Sequence, residues 1–394
     1  MPVANVLAQY WAKLEATFDT PQAVAATDAV NLEELTLEPS MEWEEVVQHV
    51  GTASLQDEIA GVEGGSWSAV AWLQPGAVGN DYDPDIGPAL LKPAMGSATV
   101  GSSTAVYEFD DSVALSTQLS RYIAGSGNDM LWEQGNGCWV ESGTIDWSGT
   151  GIPKLTLSGG FARFEYLYGA PTVDGVHSSS VTTINVTTGM IDQIRSSGSL
   201  LVKFDAEDNS GSGYAVTAVD VDNEQLTISP GLAGGLSGGE KIIPLAPSQT
   251  LAATGILGGV SGDLQIDTVS HAMLDSKLDW TTGLKPITGE GTANRPSGIV
   301  LAEERKVSVS LSAAFRQEMA KHAGIGYRRT TATRGLVQRI GVATAGKRLT
   351  ITTPAVRFGV APVSLPNADF GQFALAGTCR QSSTAGDEMK LTFS

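Results

Sequence analysis

The chain has 394 residues, two cysteines, and 43 acidic against 24 basic residues, which give a formal net charge of −19. Two cysteines cannot form a disulfide framework, and no apolar run reaches the roughly 18 residues that a membrane-spanning helix needs. The N-terminus has no basic segment followed by an apolar stretch, so we expect no signal peptide, no membrane association and synthesis in the cytoplasm.

Charge is distributed unevenly along the chain. Residues 1–176 carry 24 acidic and 5 basic residues (−19), residues 177–247 carry 8 and 3 (−5), and residues 248–394 carry 11 and 16 (+5). Because complementary potentials orient protein association, this division favours self-association of copies of the chain. The alternative explanation is that the charge serves solubility alone.

Strands dominate the predicted elements. Short runs that alternate apolar and polar residues, separated by many of the 46 glycines, are typical of a mainly β protein. In chain order, strands are predicted at 31–39, 66–74, 113–123, 154–166, 306–313, 347–358 and 388–394. Two short helices are predicted at 87–96, where Pro93 limits the length to about two turns, and at 313–324, where Gly324 can end the helix.

Two parts of the chain repeat one order of elements. Residues 31–175 and 262–394 each run through a strand, a long polar loop, a strand, a short helix and further strands, and they close with KLTLSGGFAR and FALAGTCR. We therefore divide the chain into a first unit (1–176) and a second unit (248–394). Residues 177–247 match neither unit and predict a small β-barrel-like domain, inserted at a surface loop and dispensable for the rest.

Two motifs have the spacing of a functional site but lack the neighbouring residues or elements that the site requires. Gly341, Gly346 and Lys347 have the spacing of a phosphate-binding loop, but Arg348 follows where Ser or Thr must hold magnesium, and LTITT predicts a strand. Ser237 in GLSGG has the spacing of a nucleophile elbow, yet an extended segment follows where a helix is required. Two turns are the better interpretation, and we predict no catalytic residue, no cofactor and no metal site.

One acidic loop leaves a cation as an open alternative. Asp81, Asp83 and Asp85 have the spacing of a calcium loop. However, Gly87 comes one position late, and Lys92 stands where a bidentate glutamate belongs. A solvated acidic loop is therefore the default interpretation.

Several segments resemble the major tail tube proteins of long-tailed bacteriophages. They are VLAQYWAKLEATFDTPQAVAATDAVNLEELTLEP near the N-terminus, GPALLKPAMGSATV followed by AVYEF, and KRLTITTPAVRF with the closing MKLTFS. The resemblance covers 1–176 and 248–394. It implies tandem tail-tube-like β-sandwich units, each with a short flanking helix, that join into rings around a DNA-sized lumen and stack head to tail in the virion tail. The partners it implies are a tape-measure protein and the tail terminator and distal tail proteins.

Two units per chain would close a six-unit ring with three chains, while a hexamer of chains stays an alternative. A closed ring also pairs edge strands that would otherwise be templates for aggregation. Lysines along a conduit would retain DNA, so the net negative charge suggests an acidic conduit through which DNA passes without specific binding.

Charged loops are the candidate subunit or ring interface. Segment 41–66 contains no lysine or arginine, whereas arginines cluster in the second unit. The candidate residues are Glu42, Glu44, Glu45, Asp57, Glu58, Arg328, Arg329 and Arg334. If acidic loops meet a basic surface of a neighbouring copy, Arg328→Glu with Arg329→Glu should impair assembly without unfolding the chain. Two solvated surfaces are the alternative.

Two other functions compete with this structural, non-enzymatic one. A carbohydrate-binding or adhesive component of a tail fibre or baseplate would expose aromatic clusters, and the eight tryptophans allow it. A hydrolase would need a concave pocket lined by close carboxylates. The surroundings of the tryptophans and carboxylates therefore discriminate among the three hypotheses.

Overall fold

The computed structural model of the chain describes residues 8–46, 57–76, 82–101, 103–124, 130–148, 151–251, 257, 263–271, 273–288, 294–314, 333–342, 344, 346–359, 363–364, 372–382 and 386–394. For 42–46, 57–61, 273, 363–364 and 372 only the backbone is described. The fold is mainly β, as predicted. Among the described residues, no helix is long and apolar enough to cross a membrane.

The first unit consists of antiparallel strands and one short helical segment. The strands are β1 (Ala8–Leu14), β2 (Leu32–Val46), β3 (Asp57–Trp72), β4 (Gly96–Gly101), β5 (Thr104–Phe109), β6 (Thr117–Ile123), β7 (Leu131–Ser148), β8 (Lys154–Phe161) and β9 (Arg163–Tyr168). A 3-10 turn covers Ala26–Asp28. The predicted helix at 87–96 is confirmed as a π-helical turn, Gly87–Leu91, followed by α1 (Lys92–Met95).

The insert forms its own five-stranded sheet. The strands of the insert are β10 (Thr183–Asn185), β11 (Ile194–Arg195), β12 (Leu201–Phe204), β13 (Tyr214–Asp220), β14 (Gln225–Ser229) and β15 (Ile242–Pro244), with a 3-10 turn at Ile191–Gln193. The sheet has the antiparallel order β10-β14-β13-β12-β15, while β11 pairs elsewhere. Ser237 lies in a turn, where its backbone N–H donates to Glu240 Oε1 at 2.7 Å, as the sequence predicts.

Chain preceding the predicted insert joins both edges of this sheet. On one side, the Ile242 N–H donates to the carbonyl of Pro171 at 2.7 Å, at the start of β15. On the other side, the Asp174 N–H donates to the carbonyl of Asn185 at 2.9 Å, at the end of β10. The hydrogen bonding of this sheet therefore extends to residues 171–174, which precede the predicted start of the insert at 177.

The second unit is also built of antiparallel strands. They are β16 (Asp263–Ile266), β17 (Val269–His271), β18 (Met273–Thr281), β19 (Leu284–Ile287), β20 (Gly298–Leu301), β21 (Lys306–Ala314), β22 (Arg334–Gly341), β23 (Arg348–Phe358), β24 (Val363–Ser364), β25 (Gln372–Cys379) and β26 (Lys390–Phe393). Ala313 and Ala314 end β21 rather than begin the helix predicted at 313–324, and the rest of that helix lies outside the described residues. Gly341 pairs with Arg348, so the phosphate-loop pattern is a hairpin turn, as predicted.

Six strand pairings of the first unit recur in the second. In the first unit they are β1–β6, β6–β7, β7–β9, β7–β8, β8–β3 and β3–β2. In the second unit they are, in the same order, β16–β22, β22–β23, β23–β26, β23–β25, β25–β21 and β21–β18. All are antiparallel, and the strands follow one another in the same chain order. The two units therefore share one topology.

Irregularities in the pairing recur as well. The register between β2 and β3 shifts between Leu32 and Glu34, and the register between β18 and β21 shifts between Met273 and Asp275. The differences 273 − 32 and 275 − 34 both equal 241. A β-bulge belongs to a particular strand position. The matching bulges therefore align each residue of β2 with the residue of β18 that lies 241 positions later.

A second bulge supports the same conclusion. The register between β6 and β7 shifts between Thr117 and Leu119, and the register between β22 and β23 shifts between Arg334 and Leu336. The differences 334 − 117 and 336 − 119 both equal 217. Leu119 and Leu336 are both buried, at 0% and 1% exposure, so the packing is equivalent as well as the pairing.

Each unit is a β-sandwich in which one long strand passes between two layers. Residues 131–136 of β7 pair with β6 and β9, whereas residues 139–146 pair with β8. In β23, residues 349–352 pair with β22 and β26, whereas residues 356–358 pair with β25. The apolar core lies between the layers.

The inner layers of the two units join into one sheet, which we call the wall sheet. Its order is β2-β3-β8-β7-β18-β21-β25, followed by the end of β23 with β24, which makes eight strand positions. β7 and β18 form the junction between the units, with residues 142–148 opposite residues 275–281. Four positions thus come from each unit.

The other layer, which we call the second layer, carries the insert. In the second unit, β26 pairs with β5 of the first unit, with Leu391 opposite Tyr107. In the first unit, the equivalent strand β9 pairs instead with β11 of the insert, with Leu167 opposite Ile194. The insert therefore supplies beside β9 the strand that β5 supplies beside β26.

The insert packs on the face of the second layer that points away from the wall sheet. On β1, Ala12 lies in the core between the layers, whereas its neighbour Trp11 lies in a separate cluster with Trp132 and the apolar residues of the insert. Successive side chains of a strand point to opposite faces, so these two clusters lie on opposite sides of the second layer. The order across the molecule is wall sheet, second layer, insert.

Candidate assembly surface

The wall sheet ends in two strands that each have one partner. Within the described residues, β2 pairs only with β3, and β24 pairs only with β25. An edge strand presents unpaired backbone donors and acceptors, which can pair with another chain. β2 begins the four strand positions of the first unit, and β24 ends the four positions of the second.

The internal junction shows which contacts hold two units side by side. Leu278 lies opposite Ile145, and both are buried at 1% exposure. Thr144 Oγ1 donates to Asp279 Oδ1 at 2.7 Å across the same pair of strands. One aromatic side chain also crosses the junction, because Trp280 lies opposite Gly143 and is 2% exposed.

The face of the wall sheet that points away from the core, which we call the open face, is rich in hydroxyl groups. Serine or threonine alternates with buried residues on the central strands, as in Ser308 and Ser310 between Val307, Val309 and Leu311. The hydroxyl residues of this face are Thr36, Ser66, Ser68, Ser142, Thr144, Ser148, Thr156, Ser158, Thr281, Ser308, Ser310, Ser312 and Thr378. Short neutral side chains therefore cover most of it.

Charges on the open face nearly balance. Among the side chains that the structure describes, the acidic residues are Glu33, Glu34, Glu38, Glu141, Asp146, Asp275 and Asp279, and the basic residues are Lys154, Lys277, Lys306, Arg357 and Arg380, so the net charge is 5 − 7 = −2. Lys154 Nζ lies 2.7 Å from Glu33 Oε2, and Lys277 Nζ lies 2.9 Å from Asp279 Oδ1. The described part of the face is therefore weakly acidic, and Lys154 and Lys277 are two of its five cations.

The predicted interface residues fall in different settings. Arg328 and Arg329 lie outside the described residues. Arg334 Nη1 lies 2.7 Å from Asp267 Oδ2 of the same chain, in a half-exposed pair. The remaining candidates lie in the paired ends of β2 and β3, where only the backbone is described. They are Glu42, Glu44, Glu45, Asp57 and Glu58. The acidic candidates thus share one hairpin, and their contact with the arginines stays a prediction.

The aspartate loop has a local structural role at one position. The hydroxyl of Tyr107 donates to Asp83 Oδ1, and Tyr107 itself is fully buried under the helical segment. Asp81 lies outside the described residues, and Asp85 has a partner. Across the described part of the chain, no group of three or more potential ligand side chains could hold a metal ion.

Most of the tryptophans are buried, and the side chain of Trp43 lies outside the part of the chain that the structure describes. Six of the eight are at most 5% exposed: Trp11, Trp67, Trp132, Trp139, Trp147 and Trp280. Trp72 is half-buried beneath Lys154, whose Nζ lies 4.3 Å from the ring centroid. An aromatic platform for a sugar needs exposed rings, so these positions give the adhesive hypothesis no support.

One cavity of about 250 Å³ lies where the β19–β20 hairpin meets the first unit. Its buried cation, Arg305, has Nη1 2.7 Å from Asp111 Oδ1 and Nη2 3.2 Å from Glu388 Oε2. The guanidinium also stacks 4.1 Å over Phe109. Asp111 and Glu388 already pair with the arginine. Ser112 Oγ donates to Asp110 Oδ1 at 2.6 Å on the exposed side of the lining, and this hydrogen bond lowers the pKa of Asp110, which makes the carboxylate a weaker base. The geometry therefore suggests packing rather than hydrolysis.

Polar contacts fasten the insert to the second layer. Glu165 is 1% exposed and accepts hydrogen bonds from the hydroxyls of Ser197 and Ser199, the latter at 2.7 Å. Arg163 donates to Ser197 and lies 2.6 Å from Asp19 Oδ2. This interface was not predicted from the sequence. Its signal was the run Tyr10–Ala12, whose three consecutive apolar residues indicate a strand buried on both faces.

A buried carboxyl group lies close to this interface. Glu15 is 5% exposed and accepts hydrogen bonds from Ser116 Oγ at 2.6 Å and from the Gly137 N–H at 2.9 Å. Burial raises the pKa of Glu15 to about 7, although these hydrogen bonds oppose the shift. The folded protein therefore retains a proton that the unfolded chain releases nearer to pH 4.5.

We expect this carboxyl group to make stability fall as the pH rises. Between about pH 4.5 and 7 the folded state binds more protons at Glu15 than the unfolded state, so the free energy of unfolding decreases across that window. Urea unfolding at pH 5 and pH 8 should show this decrease in the natural protein and a smaller one in Glu15→Gln. The exposed Glu38→Gln is the control. An equal decrease in Glu15→Gln would contradict the assignment.

No family model matches the chain, and no curated protein matches it. The function must therefore be argued from the duplicated units, the wall sheet and its two edges.

Proposed function

We propose that the chain is a structural virion protein that polymerises as stacked rings into a phage tail tube through which the genome passes. The observation that carries the proposal is the duplication: six pairings and two bulges recur, and the two units already stand side by side in one sheet. Within one chain, an edge strand of the first unit pairs with an edge strand of the second unit. The same edge-to-edge contact can therefore form between chains. Repetition of a head-to-tail contact gives a ring if the rotation closes.

The dimensions agree with a conduit for DNA. Three chains of eight strand positions make 24 strands, and a spacing of about 4.8 Å gives a closed sheet with a diameter of at least about 37 Å. Tilting of the strands enlarges that value. After allowance for side chains, the lumen is wide enough for duplex DNA.

Layer order supports placing the open face inside. The second layer and the insert both lie on the opposite side of the wall sheet, and a ring offers more room at larger radius. Short hydroxyl side chains and a charge of −2 per chain would then face the DNA. Because tight binding requires cations that neutralise phosphates, such a weakly acidic surface lets DNA pass without retaining it.

Negative-stain electron microscopy of the purified chain at high concentration, together with sedimentation velocity, tests the proposal. We expect rings or hollow tubes. Antibody labelling of phage particles should decorate the tail shaft. A chain that stays monomeric at high concentration, or labelling confined to fibres or the baseplate, would contradict the tube function.

A further inference from the structure

The internal junction is a template for the contact between chains. We infer that β24 of one copy pairs antiparallel with β2 of the next copy, in the register that β7 and β18 adopt within the chain, with Val363 opposite Leu37 and Ser364 opposite Thr36. This inference rests on the proposed function and names the strands and register of its ring contact. The partner is a second copy of this chain.

Equivalent positions fix that register. Ile145 and Asp146 of β7 pair with Leu155 and Lys154 of β8. Val363 and Ser364 of β24 pair with Phe373 and Gln372 of β25. The differences 363 − 145, 364 − 146, 373 − 155 and 372 − 154 all equal 218. β24 is therefore the counterpart of the part of β7 that faces β18.

The opposite strand is aligned by its bulge. β18 residues 275–281 correspond to β2 residues 34–40 through the offset of 241 that the matching bulges set. At the internal junction, Leu278 faces Ile145 and Lys277 faces Asp146. Subtracting 241 from 278 and 277 gives Leu37 and Thr36.

Side-chain character agrees with the transferred register. Leu278 and its counterpart Leu37 are both buried, at 1% and 5% exposure. Val363 replaces Ile145 as an apolar residue, and Ser364 replaces Asp146 as a polar one. A shift by one residue would turn the apolar residues of one strand onto the polar face of the other, so the alternation excludes odd shifts. The offsets of 218 and 241 select this register among the even ones.

The contact between chains lacks one feature of the internal junction. The counterpart of Trp280 on β2 is Pro39, so β2 supplies no indole to the contact. The ring contact should therefore separate at a lower urea concentration than the chain unfolds.

Cysteine cross-linking tests the register. The variant Thr36→Cys/Ser364→Cys should form disulfide-linked or short bismaleimide-linked oligomers under assembly conditions, because residues directly opposite on antiparallel strands have Cβ atoms about 4.5–5.5 Å apart. A limit of three chains in the denaturing gel is the result expected for a closed trimeric ring. The native thiols Cys138 and Cys379 are buried, and burial raises the pKa of both, so neither should react.

Matched variants make the result decisive. Asp146→Cys/Lys277→Cys reproduces the same pair inside one chain and should cross-link even in a monomer. Thr36→Cys/Ser310→Cys, which uses a central strand, should not link chains. Rings without a 36–364 cross-link, while the intrachain control reacts, would overturn the register and leave the tube function standing. Cross-links formed by Thr36→Cys alone would overturn it too, because they require two β2 strands to meet. Absence of both rings and interchain links would remove the tube function as well.

Discussion

Deletion of residues 177–247 should abolish soluble, folded protein rather than leave a complete tube wall. The sequence predicts a dispensable insert, but Trp11 and Trp132, at 0% and 3% exposure, pack against the insert core. Deletion would expose both indoles, free the edge of β9 and remove the serines that satisfy Glu165. Exposed apolar surface beside an unpaired edge strand is an aggregation site.

A point variant keeps the test informative if the deletion simply fails to express. Trp11→Ala in the full chain should lower the free energy of unfolding by about 3–5 kcal/mol, the usual loss for a buried tryptophan. Val176→Ala, at a side chain that is 84% exposed, is the control and should change it little. Urea unfolding measures both. A stable, soluble deletion protein with a Trp11→Ala variant of natural stability would show that the insert is a separate domain.

Gly143→Ala should destabilise the chain strongly, although it adds only one methyl group. A Cβ at position 143 would lie 2.1 Å from Cζ2 of Trp280, which must leave its place at the junction of the two units. Overpacking of this kind costs typically 1–3 kcal/mol, and displacement of a buried indole takes it toward the upper end. Urea unfolding with tryptophan fluorescence measures the change and reports on the indole itself.

Gly101→Ala provides a matched control on another strand. A Cβ at position 101 has no atom within 4 Å, so alanine should be neutral or slightly stabilising there. Equal stability of the two variants would show that Trp280 does not pack against position 143. Since this pair lies at the internal junction, the Gly143→Ala variant should also disturb the alignment of the two halves of the wall sheet.

Local alternation predicted the strands well, because burial on one face leaves a period of two in the sequence. KVSVSLSA is an example: Val307, Val309 and Leu311 are buried and the residues between them line the open face. The hairpin turn at Gly341–Arg348 was also predictable, since Arg348 and the following LTITT exclude a phosphate loop. These features depend on residues near in sequence.

Long-range pairing could not be predicted in the same way. Nothing in the strand AVYEF shows that Tyr107 lies opposite Leu391, because the partner is chosen by packing of the whole core. The repeated order of elements was visible, but the offsets were not, because equivalent strands share pattern rather than residues. For example, Leu37 and Leu278 match, whereas Lys277 corresponds to Thr36 and Trp280 to Pro39.

The charge distribution shows the same limit. The net charge of −19 suggested an acidic conduit, but most of the acidic residues lie off the open face, whose balance is −2. Composition counts charges and does not say which face of a strand carries them. Alternation along each strand assigns the faces only once the core side is known.

In the proposed tube, the two units of one chain repeat around a closed ring. A cryo-electron microscopy reconstruction of the assembled protein tests this repeat. We predict a 24-stranded wall of three chains, in which the β24–β2 contact between chains superposes on the β7–β18 contact within each chain, and the insert projects outward. An assembly in which the wall sheets of neighbouring chains are not continuous would contradict the account.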